Sequence, residues 1–122
     1  ELYSEILQSF ATLPELDGRR LHVLVESLSS TAETERLELY LSLLLGVIER
    51  LTRVGATGEG ATGQERALAK RLVSPGNLAR WAEAWEAISL ARSETLALNL
   101  DRSLLLLETW FRLQSLAREH PV

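Results

Sequence analysis

The chain of 122 residues contains no cysteine. Disulfides, thiolate zinc sites, iron–sulfur clusters and cysteine nucleophiles are therefore excluded together. Histidine is scarce: only His22 and the near-terminal His120 occur, which removes most histidine-based acid–base and metal chemistry. The single lysine is Lys70, and no Gly-Lys-Ser or Gly-Lys-Thr is present to form a P-loop. Acidic residues outnumber basic ones 17 to 13, a net charge of -4, so a generally basic nucleic-acid surface is not expected. Ile and Val together number 9, against 27 Leu and 13 Ala, a bias that favours helix over sheet. The longest near-apolar stretch, Leu37 to Leu51, is broken by Glu38, Ser42, Glu49 and Arg50. It falls short of the roughly 18 clean residues of a membrane span. The chain begins at Glu1 inside a helical pattern, with no initiator Met and no signal-peptide pattern, and is expected to be a segment of a longer protein.

What is present is periodic. Leu2, Tyr3, Ile6, Leu7, Phe10 and Leu13 make one wide helical face that Pro14 stops. Leu21, Leu24, Val25 and Leu28 mark a second helix ending in Ser29–Thr31. Ser30 and Glu33 have capping-box spacing and are expected to open the longest helix, through Leu37, Tyr40, Leu41, Leu44, Leu45, Ile48 and Leu51. Leu39, Leu43 and Val47 fill its other faces, so it should be central. Residues 55–63, GATGEGATG, hold four of the seven glycines and no large apolar side chain, and are expected to be a flexible, dispensable loop. Thr62 and Glu65 repeat the capping-box spacing before a short helix, and residues 74–77, SPGN, break the chain again. Leu78, Trp81, Trp85 and Ile88 open a fifth helix that ends near Asn99, and Asp101 is placed to cap a sixth through Trp110 and Phe111. The predicted fold is all-α, one domain over residues 1–122, a single bundle of about six helices.

None of the polar constellations predicts catalysis, a metal or a cofactor. Residues 58–63 match G-x-G-x-x-G, but a helix rather than a strand precedes them and Glu59 puts negative charge where pyrophosphate would sit. His22 has Glu26 at i+4, a pairing more common on a helix surface than in a catalytic dyad. Glu33, Glu35 and Glu38 suit a helix N-terminus better than a metal, and Arg19-Arg20 lacks interleaved aromatics to stack bases. Trp81, Trp85 and Trp110 read first as core and second as interface anchors, because the last two helices carry more large apolar residues than one stripe needs. Leu100, between Asn99 and Asp101, is expected to point into the bundle.

Residues 81–88, WAEAWEAI, then 97–102, ALNLDR, then the leucine run to Trp110 and Phe111 resemble the C-terminal domain of the delta-prime subunit of the bacterial DNA polymerase III clamp loader, most nearly its alphaproteobacterial form. The likeness extends upstream through Leu16-Asp17, Leu21-His22 and residues 35–41, ERLELYL, and so covers most of the chain. The resemblance implies a helical collar: a non-catalytic, cytoplasmic oligomerisation domain that holds the clamp-loader ring together during DNA replication. It implies the delta and gamma/tau subunits as partners, with no small-molecule substrate, no membrane and a contact with DNA that is indirect or minor. The parent complex would be a DNA-directed DNA polymerase. By matched position Trp85, Asn99, Asp101 and Arg102 belong to the last interhelix turn and the helix before it, which with Trp81, Leu100 and Trp110 makes them the candidate packing or interface residues. The collar of the gamma/tau subunit and an unrelated adaptor bundle that binds an amphipathic helix are the alternatives.

Overall fold

In the computed structural model, which describes residues 1–61 and 63–119, the longest helix is the axis on which the others are laid. In chain order the helices are α1 (Leu2–Thr12), α2 (Gly18–Leu28), α3 (Thr34–Thr57), α4 (Gly63–Leu72), α5 (Leu78–Leu98) and α6 (Arg102–Arg118), with a 3-10 turn at Thr31–Glu33 before α3. Helix α3 packs against α1, α2, α4 and α5, while α6 lies on α5 and α2. The fold is all-α, a single bundle of six helices among the described residues, and no strand occurs among them. No helix among the described residues is long and apolar enough to cross a membrane.

The apolar positions explain the arrangement. Leu37, Leu41, Leu44, Val47, Ile48 and Leu51 of α3 are fully buried, spread over more of the circumference than one stripe, so α3 needs neighbours on several sides. Phe10 of α1 lies between Trp81 of α5 and Trp110 of α6, with ring centroids 6.4 and 5.3 Å away, the second edge-on at 62°. Trp110 Nε1 donates to the buried Tyr40 hydroxyl at 2.9 Å, which satisfies the indole N–H inside the core. Burial raises the proton affinity of the Tyr40 phenol well above its ordinary value.

Helix ends are closed by side chains from near and far. Asp17 accepts from the N–H groups of Arg19 and Arg20 at 3.0 and 3.2 Å, and α2 starts there. Arg71 of α4 reaches across to the last carbonyls of α1, donating to Phe10 and Ala11 and then to Leu13 at 2.8, 3.1 and 2.6 Å. Buried Asn77 closes the α4–α5 break by accepting from Ser74 N–H at 2.8 Å and donating to the Leu72 carbonyl at 3.0 Å.

Three local expectations are corrected. Ser30 and Glu33 form no capping box: the Ser30 side chain makes no capping bond, and Glu33 N–H closes a 3-10 turn on the Ser30 carbonyl at 3.0 Å, so α3 begins at Thr34. The glycine loop expected at 55–63 starts later, because α3 runs on to Thr57 and ends on Gly58 at φ 80. Gly55 is a helical packing residue; a Cβ there would lie 2.3 Å from Val73 Cγ1. Leu100 is 48% exposed instead of buried. The cap expected from Thr62 lies outside the described residues.

Candidate interaction surface

The residues singled out from the sequence fall in three places. Trp81 and Trp110 are core, 0% and 1% exposed. Trp85 is 36% exposed and faces a hollow between α3 and α5. Asn99, Leu100, Asp101 and Arg102 share the α5–α6 turn, where the backbone explains each residue type. Asn99 takes the left-handed conformation at φ 53 that ends α5, and Leu100 N–H donates back to the Thr95 carbonyl at 2.9 Å. Asp101 accepts from Ser103 and Leu104 N–H at 2.9 and 3.2 Å, capping α6. Arg102 Nη1 donates to Thr34 Oγ1 at 2.5 Å and Ser103 Oγ lies 3.0 Å from Ser29 Oγ. The inward positions of the turn are thus taken by polar contacts to the start of α3 and the end of α2, and Leu100 is left facing out.

From this fixed turn an apolar stripe continues along α6. Leu104 and Phe111 are each 51% exposed, Leu107 between them is half-buried, and the steps of three and four put all three on one face. Leu98 and Leu100, 65% and 48% exposed, extend the apolar surface past the helix end. Phe111 and Leu107 also form one wall of a groove against α2, whose other wall includes Leu21, Val25 and His22. His22 Nε2 sits 2.5 Å from Glu26 Oε1 at the solvent edge of α2. The excess of large apolar residues on the last two helices signals an exposed face, but it points to the tryptophans as anchors, whereas the structure exposes Leu104 and Phe111 and buries Trp81 and Trp110.

The strongest electrostatic arrangement lies elsewhere, where α1, α3 and α4 meet. Arg50 Nε donates to Glu65 Oε1 at 2.6 Å and Nη2 to Oε2 at 3.0 Å, and the Tyr3 hydroxyl donates to the same carboxylate. Burial alone would raise the Glu65 carboxyl, but the hydrogen bonds from Arg50 and Tyr3 outweigh it and hold the group below the usual carboxylate range. The Tyr3 phenol is pushed up because its proton is held by that carboxylate. Both Glu65 oxygens are occupied, so the cluster works as a clasp between helices. Sequence spacing linked Glu65 only to Thr62, since a contact across 62 residues leaves no local pattern. No group of three or more His, Asp or Glu among the described residues is placed to hold a metal ion.

No protein family, curated protein or solved structure matches the chain.

Proposed function

We propose that this chain is a non-catalytic assembly domain, the collar of the delta-prime subunit of a bacterial clamp loader. The observation that carries the reading is the exposed apolar stripe of Leu100, Leu104, Leu107 and Phe111, held at a fixed angle by the capped turn at Asn99–Arg102. Large apolar side chains on a rigid helix, rimmed by Glu108 and Arg112, are what a subunit interface uses as anchors. The resemblance of residues 81–111 to the delta-prime collar supplies the partners, the delta and gamma/tau subunits, and a cytoplasmic role in loading the sliding clamp. The domain itself carries no catalysis on this reading, and contact with DNA is indirect or minor. The gamma/tau collar is the variant within the same system, distinguished by a Walker A sequence upstream of Glu1.

The test is assembly of the chain with the delta and gamma/tau subunits of its own source, followed by light scattering across a size-exclusion column. Co-migration with both, weakened at least tenfold by Phe111→Glu while the melting temperature stays unchanged, is the expected result. Failure to join either subunit, by a chain that unfolds cooperatively, would eliminate the collar reading. The α2–α6 groove favours the second reading, an adaptor that takes an amphipathic helix against Phe111, Leu107, Leu21 and Val25.

A further inference from the structure

A second exposed feature lies on the other edge of α5, away from α6. Helices α3 and α5 run antiparallel: Arg92 Nη2 donates to Ser42 Oγ at 3.0 Å at one end, and Gly55 approaches Leu78 at the other. Near the second end they part around a hollow of about 320 Å³. Ala56 of α3 and Ala82 of α5 leave the space open because each contributes only a methyl group, and the half-exposed ring of Trp85 walls it. Glu49, Glu86 and Arg53 stand at its mouth. Arg53 is spent on Glu49 at 2.5 Å, whereas Glu86 enters no ion pair among the described residues.

We propose that this hollow is a docking site for one basic side chain, an arginine or lysine, presented by a helix of a partner protein lying along the α3–α5 groove. The lining selects that chemistry in two parts. The Ala56, Ala82 and Trp85 surfaces accept a methylene stem, and the indole face attracts a cation. Glu86 supplies the carboxylate that such a head group needs, since it lines the hollow and enters no ion pair among the described residues. A purely apolar anchor would strip water from Glu86 without replacing it, and an acidic one would be repelled. The site is separate from the α6 stripe and does not depend on which assembly the chain joins.

The probe is an alanine-based helical peptide with one central arginine, compared with the same peptide carrying norleucine or glutamate. The readout is the indole N–H resonance of Trp85 in the full chain, assigned by its disappearance in Trp85→Phe. The arginine peptide should shift that resonance saturably, leave those of Trp81 and Trp110 in place, and lose affinity about two- to fivefold in Glu86→Gln and further with added salt. Glu86 is on the surface, so its variant should keep the native helical circular dichroism and a loss of affinity cannot be ascribed to unfolding. An equal shift with norleucine, unchanged affinity in Glu86→Gln, or no shift at millimolar peptide would each overturn the proposal. So would a Trp85 shift that depends on protein concentration without peptide, which would make the occupant a second copy of the chain.

Discussion

Arg50 and Glu65 meet through two parallel hydrogen bonds, at 2.6 and 3.0 Å, with the Glu65 side chain 7% exposed and that of Arg50 38% exposed. The pair joins α3 to α4 across the short glycine connection, and Tyr3 adds α1 to the same carboxylate. Replacing Arg50 by Met leaves a buried carboxylate with one partner and should cost about 1–3 kcal/mol. Arg50 is partly solvated, which keeps the loss below that of a fully buried pair. Tyr3→Phe should cost less, about 0.5–1.5 kcal/mol for one hydrogen bond. Urea denaturation of both variants beside the parent chain measures these differences.

The same pair predicts a direction with pH. The folded-state proton affinity of Glu65 is lowered, so its stabilising contribution is complete above the unfolded carboxyl value of about 4.3 and disappears as pH falls through the lower folded value. The stability gap between the parent chain and Glu65→Gln should therefore be constant from pH 7 to 6 and narrow progressively below pH 5. A gap that widened on acidification would mean that burial, not Arg50, dominates at this site.

Gly55→Ala should destabilise the chain by about 1–3 kcal/mol, although glycine-to-alanine changes inside helices ordinarily stabilise by about 0.5–1 kcal/mol. The sign is reversed by Val73, whose Cγ1 lies 2.3 Å from the position of the new Cβ. Combining Gly55→Ala with Val73→Ala should cost less than the sum of the two single changes, which a thermal-unfolding double-mutant cycle resolves. Strict additivity would show that the two residues do not meet.

Tyr40→Phe removes the only acceptor within reach of the Trp110 indole N–H among the described residues. A buried donor left unsatisfied costs about 1–3 kcal/mol, more than the loss of one hydroxyl's worth of packing. Equilibrium denaturation followed by tryptophan fluorescence gives the number. A neutral outcome would place water at that nitrogen.

The turn after α5 separates stability from binding. Asp101→Ala should lower stability by about 0.5–2 kcal/mol, because both of its capping bonds are lost. Leu100→Ala should stay within about 0.5 kcal/mol, since the side chain is half exposed. On the assembly reading the order reverses in a binding assay, where Leu100→Ala weakens association more than Asp101→Ala does at temperatures where both are folded.

Leucine periodicity, the scarcity of β-branched residues and the punctuation by Pro14, residues 74–77 and Asn99-Leu100-Asp101 determined by themselves the six helices found among the described residues, with ends near the observed ones. Those signals are local: a 3.6-residue repeat and a capping side chain act within a turn or two of the backbone. Local patterns cannot say which of several apolar faces a neighbour will cover. The sequence marks Trp81, Trp85 and Trp110 alike, and only the tertiary packing, in which Phe10 of α1 meets both Trp81 and Trp110, buried the first and third while leaving Trp85 beside two alanines at the surface. Gly55 looked like loop until Val73, 18 positions on, came within van der Waals range of it. Leu100 looked like core until Arg102 and Ser103 took the inward contacts to Thr34 and Ser29. Glu65 looked like a cap until Arg50 and Tyr3 closed on it from two other helices. Each of these outcomes depends on groups brought together by chain folding over long separations, and the shape and charge of that encounter exist only in three dimensions.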